Sequence, residues 1–148
     1  MKTADTSVVV ASFASWHESH VAARRALDGG VSLIEHCALE TYSVLTRLPP
    51  PHRVPGDVVG QFLKARFPNP YLRLGVRAYR NFIRGLPGRK VSGGAAYDAL
   101  VAATAVDANA ELITCDRRAL PIYKQYGVHA RFLEQTRASV PRTRRRPG

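Results

Sequence analysis

Apolar positions come in short bursts separated by polar turns, and the bursts alternate between strand-like and helical spacing. KTADTSVVV begins as a brief strand up to about Asp5 and passes into a helix that Asp5 or Thr6 is placed to cap. WHESHVAARRALDGG has helical spacing and closes at Gly29–Gly30. VSLIEHC is an apolar strand running into the helix ALETYSVLTRL, which the prolines from Pro49 to Pro51 terminate. DVVGQFLKARF predicts a helix from Asp57 that stops at PNP. YLRL is either a short strand or the first turn of the helix VRAYRNFIRGL. After the loop PGRKVSGG comes AAYDALVAATAVDANA, a helix so rich in small and apolar residues that it must pack on most sides. ELITCD reads as a strand, PIYKQYG as a short helix and VHARFL as a last strand.

Strands alternating with helices predict an α/β protein whose parallel sheet is covered on both faces. In such sheets function collects at the carboxyl ends of the strands. The 148 residues fit one domain. We expect it to span residues 1–134, followed over 135–148 by a polar, basic tail with two prolines and no core. Runs such as VVVASFA and ALVAATAV fall well short of the ~20 residues of a membrane span, so no membrane association is expected. Asp5 interrupts the stretch where a secretory signal would be basic or apolar, which points to a cytoplasmic protein that keeps its N-terminus. Cys37 and Cys115 stand far apart without CxxC or His-rich spacing. They suggest neither a disulfide framework nor a zinc site, and read as reduced core residues.

The acidic residues fall at telling places in this layout. Asp5 ends the first strand, Asp116 ends the strand LITC, and Asp98 opens the small-residue helix that leads into that strand. Glu40 lies in the first turns of the helix after the second strand, with Glu35 competing for the strand-end position. Each has an ordinary use: Asp5 and Asp116 as helix caps, Asp98 as a complement to a helix dipole, Glu40 on a half-exposed face. In a right-handed parallel α/β layout these positions can converge on one sheet edge. Converging carboxylates repel, so some stay protonated unless a cation joins them. A hard divalent ion such as Mg²⁺ or Mn²⁺ suits an oxygen-only set without His or Cys, and its usual chemistry is phosphodiester hydrolysis by an oriented water.

Charge agrees with a phosphate-bearing partner. The chain carries 22 Lys and Arg against 11 Asp and Glu, a formal net charge of +11, which favours a polyanion or an acidic protein. Arg73, Arg77, Arg80 and Arg84 recur at helical spacing as a basic stripe beside an apolar one of Leu72, Val76, Tyr79, Ile83 and Leu86. One stripe packs while its neighbour is free to meet phosphates. Arg89 and Lys90 continue this charge, and Arg117 and Arg118 follow Asp116 directly. Such contacts give salt-sensitive affinity without reading sequence. The bland alternative is a solvated helix face. Arg142 and Arg144 to Arg146 read as an electrostatic extension, His17 and His20 as a surface pair, and Trp16 as a core or partner-interface anchor.

Four blocks in order, ADTSVVVASF, ALETYSVLTRLP, YDALVAATAVDANAELIT and TCDRRA, resemble the PIN domain, and within it the VapC-type ribonuclease toxins of bacterial toxin–antitoxin pairs. The resemblance covers the chain to about Leu133 and is strongest in the third block. It implies a three-layer α/β/α fold with a central parallel sheet and a Mg²⁺- or Mn²⁺-dependent endoribonuclease. By residue-to-residue match it selects Glu40 over Glu35. It makes Asp5 and Asp98 the principal metal ligands and gives Glu40 and Asp116 direct or water-mediated roles. Thr114 matches a polar position lining the site. The resemblance also implies an RNA substrate, a VapB-type antitoxin in the active-site groove, promoter DNA bound only through the antitoxin complex, and a homodimer. Two other classes compete. A phosphotransfer domain with an aspartyl nucleophile would need a second acid beside Asp5 and a lysine late in the sheet, where the chain has only Lys124 in the preceding helix. A non-catalytic nucleic-acid binder would use the charge but gives no reason for four converging acids.

Overall fold

In the computed structural model, which describes residues 1–135, four short strands form one parallel sheet. They are β1 (Lys2–Ala4), β2 (Ser32–Leu33), β3 (Glu111–Thr114) and β4 (Ala130–Phe132), in the spatial order β2-β1-β3-β4. Helices α1 (Thr6–Phe13) and α2 (His20–Leu27) link β1 to β2. Helices α3 (Glu35–Thr46), α4 (Gly56–Arg66), α5 (Val76–Gly85) and α6 (Ala95–Asp107) lie between β2 and β3, and α7 (Leu120–Gln125) between β3 and β4. The result is a three-layer α/β/α arrangement. The chain leaves β1 toward β2 on one side and returns to β3 on the other. The order therefore reverses between β1 and β3, the kind of switch point at whose carboxyl ends open α/β sheets place their sites.

Burial accounts for this layout. Ala4, Val8, Val9, Ile113 and Leu112 are fully excluded from solvent, with Leu33, Ile34, Leu45 and Val59 beside them. Helix α1 packs on α2, α3 and β3, and α6 packs on α3, α7 and β3. The small residues of α6 permit that close approach: Ala99, Val101, Ala102, Thr104 and Ala105 are all buried. Asn109, with φ of 50°, takes the left-handed position that closes α6, and the Ala110 amide reaches back to the Ala105 carbonyl at 2.9 Å.

Several elements differ from the expectation. Helix α2 starts at His20 rather than at Trp16, because the chain between α1 and α2 turns twice, with amides of His17 and His20 bonded to carbonyls three residues back. The two histidines hold these turns: His17 Nδ1 accepts from the Ser19 amide at 3.0 Å, and His20 Nδ1 donates to the Ala11 carbonyl at 2.8 Å. Trp16 is not a core residue. It is 52% exposed, its ring 4.4 Å from that of His52. The second strand is only two residues long, and α3 begins at Glu35, three residues before the expected start. YLRL adds a single parallel bridge, Leu72 to Ile34, at the outer edge of β2. The apolar stripe assigned to α5 does not pack: Val76 is 85% exposed and Tyr79 and Ile83 are also open, while Ala78 and Phe82 turn toward the body. The expected basic tail lies, from residue 136 on, outside the described residues. Among the described residues no helix is long and apolar enough to cross a membrane.

Candidate active site at the carboxyl ends of β1 and β3

Asp5 follows β1 directly and is buried to 4% exposure. Three donors compensate that burial. Its Oδ2 accepts from the Tyr123 hydroxyl at 2.8 Å, and its Oδ1 accepts from the Ser7 hydroxyl and from the Val8 amide at 3.4 Å. The nearby Thr114 hydroxyl also favours the charged form. Ser7 is itself fixed, since its Oγ accepts from the Cys115 amide at 2.8 Å. Burial still wins: the Asp5 carboxyl is held above its ordinary value, against the pull of these hydrogen bonds. Capping and site are compatible, because the Val8 bond is the N-cap of α1.

Asp116 sits two residues beyond β3. Its amide donates to Thr114 Oγ1 at 2.9 Å, and its Oδ1 accepts from the Arg118 amide at 2.9 Å, capping the 3₁₀ turn Arg117–Ala119. Thr114 is fully buried at the end of β3 and so links the Asp5 and Asp116 loops. Asp98 lies in the first turn of α6 and is half-buried. Its carboxyl is pushed up to about 6, first by desolvation and then by the charges of Asp116, Asp5 and Glu40, with Arg118 pulling the other way. Glu40 projects from α3 and accepts from His36 Nε2 at 3.0 Å. Glu35 is exposed in the first turn of α3.

Asp98 therefore lies within electrostatic reach of Asp116, Asp5 and Glu40. As the side chains stand, no three of His, Cys, Asp and Glu among the described residues close on a common ion position. The set is all-carboxylate, and although Asp116 lies 3.5 Å from Arg118 and Glu40 3.0 Å from His36, Asp5 and Asp98 have no ion-pair partner among the described residues, a chemistry that fits a hard divalent cation. The cysteines take no reactive part. Burial and the Asp5 charge raise both thiols, Cys115 to about 11, and Cys37 is fully buried.

Of the candidate arginines, Arg118 is felt at Asp98 and its side chain is 94% exposed. Arg117 stacks over Phe132 at 4.3 Å. Arg77, Arg80 and Arg84 are exposed on α5, while Arg73 lies before that helix begins, so the stripe is interrupted. Arg89 does structural work: it lies 4.2 Å over the Tyr126 ring and donates to the Gln125 carbonyl at 3.2 Å. Three residues at the site were missed by the sequence reading: Tyr123, His36 and Tyr97. Only His36 had a visible signal, its four-residue spacing from Glu40 on one helix face.

The model of the PIN domain matches residues 3–125. The chain belongs to the PIN-domain family. Its relatives place it in the VapC-type branch. Ribonuclease VapC40 of Mycobacterium tuberculosis (strain ATCC 25618 / H37Rv) is 50% identical over 129 residues, covering 87% of this chain and 96% of that protein. Ribonuclease VapC27 of the same strain is 40% identical over 130 residues, covering 84% of this chain and 91% of the relative. The crystal structure of FitAcB from Neisseria gonorrhoeae shares the fold of this PIN domain, with a TM-score of 0.63 at 19% identity over 90% of this chain and 97% of that one.

Proposed function

We infer that this PIN domain is the toxin of a toxin–antitoxin pair, an endoribonuclease that hydrolyses RNA phosphodiesters with Mg²⁺ or Mn²⁺. The observation that carries this reading is the position and state of Asp98. Partial burial first, and then the charges of Asp116, Asp5 and Glu40, raise its carboxyl to about 6. An arrangement that concentrates repulsion in this way is suited to a cation. The names of the two mycobacterial relatives support ribonuclease activity.

In this reading Asp5 and Asp98 hold the ion, with Glu40 and Asp116 bound directly or through water. When bound, the ion supplies charge neutralisation at the phosphoryl oxygens and an acidified water. The Tyr123 and Ser7 hydroxyls fix the Asp5 carboxylate, and Thr114 lies beside it. Arg118, exposed at the rim, meets a substrate phosphate. The open apolar edge of α5, formed by Val76, Tyr79 and Ile83, is surface of the kind that association covers. It supports a homodimer or an antitoxin contact, the antitoxin being of VapB type and carrying any promoter contact.

The test is cleavage of a structured RNA pool by the purified chain, free of antitoxin, with Mg²⁺, with Mn²⁺ and with chelator. Asp5→Asn and Asp98→Asn serve as controls. Cuts leaving 5′-phosphate and 3′-hydroxyl ends are expected only with metal, and each variant lowers the rate by roughly 10³ or more. Cutting that survives in chelator or in both variants overturns the site. RNA binding without any cutting points to the non-catalytic binder instead.

A further inference from the structure

Beside the carboxylates stands an aromatic pair that their chemistry leaves unused. Tyr97 is the residue before Asp98, in the first turn of α6, and His36 lies in the first turn of α3. Because α3 and α6 pack together, the two rings meet face to face, with centroids 5.2 Å apart and planes inclined by only 8°. His36 is fixed from its other side, since its Nε2 donates to Glu40 at 3.0 Å. Its side chain is 19% exposed, so it serves as a backing for the outer ring. Tyr97 is 60% exposed. One of its faces is covered by His36, and most of the rest stands in water.

We propose that Tyr97, backed by His36, is a stacking platform for an unpaired nucleobase adjoining the phosphate cleaved at the acidic site. The inference rests on the ribonuclease reading above and deepens it: the substrate at this point is single-stranded. The ring is already oriented by a near-parallel partner, so a third flat ring adds to the stack without reordering the side chain. Bases splayed out of single strands stack on aromatic faces in this way, with little demand on base identity. The neighbouring charges agree. His36 behind the ring is bonded to Glu40, whose charge reaches Asp98, and the exposed guanidinium of Arg118, which also acts on Asp98, suits the phosphate that must accompany the base. A protein loop would also find an exposed tyrosine, but nothing in an ordinary protein contact calls for a flat, pre-stacked ring beside a hydrolytic site.

The probe is a set of single-stranded oligoribonucleotides with 2-aminopurine at successive positions, bound to the full chain carrying Asp5→Asn in the presence of Mg²⁺. The expected result is quenching confined to one or two neighbouring positions, lost with Tyr97→Ala and kept with Tyr97→Phe. On the cleavage-competent chain, Tyr97→Ala raises KM by roughly 5- to 100-fold, a span set by the worth of base–aromatic stacking, with kcat less changed and Tyr97→Phe near normal. Mn²⁺ affinity measured by calorimetry stays unchanged, which separates stacking from damage to Glu40. Equal quenching and KM in Tyr97→Ala overturns the platform, as does an effect of Tyr97→Ala confined to antitoxin binding. Failure of Tyr97→Phe alongside Tyr97→Ala shows that the hydroxyl matters rather than the face, and overturns it too. If the parent chain neither binds nor cuts RNA, the ribonuclease reading falls and takes the platform with it, whereas normal cutting that ignores Tyr97 sinks the platform alone.

Discussion

Strand β3 has carboxylates near both of its ends, and the fold treats them in opposite ways. At the amino end Glu111 accepts from Arg131 Nε at 2.9 Å and lies 3.5 Å from His129 Nδ1, and the Arg131 bond holds its carboxyl below the ordinary value. At the carboxyl end Asp98 is pushed up instead, to about 6, and among the described residues neither Asp5 nor Asp98 has an ion-pair partner. Scarcity of cations is not the reason, since Lys and Arg outnumber Asp and Glu 22 to 11. One end neutralises its charge with neighbours from β4. The other end stores repulsion and compensates its most buried carboxylate with neutral hydroxyls, which orient a carboxylate without cancelling its charge. An end built that way remains available to an incoming cation.

The largest effect within this comparison falls on the hydroxyl that orients Asp5. Tyr123→Phe removes the 2.8 Å donor at Oδ2 while keeping the ring that fills the core. Loss of such a supporting bond lowers metal affinity or cleavage by roughly 10- to 100-fold. Calorimetric titration with Mn²⁺ measures the first directly. Unchanged affinity and rate would make Tyr123 a packing residue only.

Next comes the repulsion itself. The Asp98 carboxyl rises from its ordinary 3.8 to about 6, so between those pH values the native chain holds a proton that the unfolded chain has released. Metal-free stability therefore falls as pH rises through that window and levels off above it. The raised Asp5 carboxyl adds a slope of the same sign. Asp98→Asn lessens the slope and stabilises the metal-free protein at pH 8 by about 1–2 kcal/mol, since Asp98 is half-buried and solvent screens part of the field. Thermal denaturation from pH 4 to 8, with and without Mg²⁺, checks this. The metal should raise the wild-type midpoint at pH 8 far more than that of the variant. A flat wild-type profile would remove the argument for stored charge.

How far the chain reveals this contrast on its face depends on distance in sequence. The parallel sheet and the order of strand and helix were legible because alternating periodicity is local, and Asp5, Asp98 and Asp116 were legible because each sits at a predicted strand or helix end. Glu40 needed the family resemblance, since Glu35 stood equally well in pattern. Tyr123 could not be found from spacing at all: it is 118 positions from Asp5 and meets it only after β1 and β3 pair. The Tyr97–His36 stack depends in the same way on α3 meeting α6. The error on α5 has a different origin. Apolar periodicity marks a candidate packing face, but it does not say which apolar residues the body covers: Ala78 and Phe82 turn inward while Val76, Tyr79 and Ile83 stay open.

Charge on the surface should matter less than charge at the site. Arg118→Ala raises KM several-fold with kcat nearly constant. Replacing Arg77, Arg80 and Arg84 with alanine together lowers the salt dependence of RNA binding by about one unit of slope for each true phosphate contact. Filter binding across a salt series reads that slope. No change in it would make the α5 stripe a solvated face, leaving Arg118 as the phosphate contact that the site's own electrostatics favours.

The smallest effect belongs to the amino end of β3, and it tests the comparison from the other side. Glu111→Gln removes one partner of a pair in which Arg131 is 43% exposed, so solvent takes over most of what the carboxylate did. Stability should change by no more than about 0.5–1 kcal/mol, and cleavage and Mn²⁺ affinity should not change at all. The register of β3 explains why. Glu111 pairs with Lys2 across the sheet, at the strand end remote from Thr114, and Leu112 and Ile113 between them are held on both sides by β1 and β4. A charge removed at one end reaches the other only through that rigid ladder or through screened space. If Glu111→Gln lowered activity as Tyr123→Phe is expected to, the two ends would be coupled, and the carboxyl-end charge would have to be treated as a property of the whole strand.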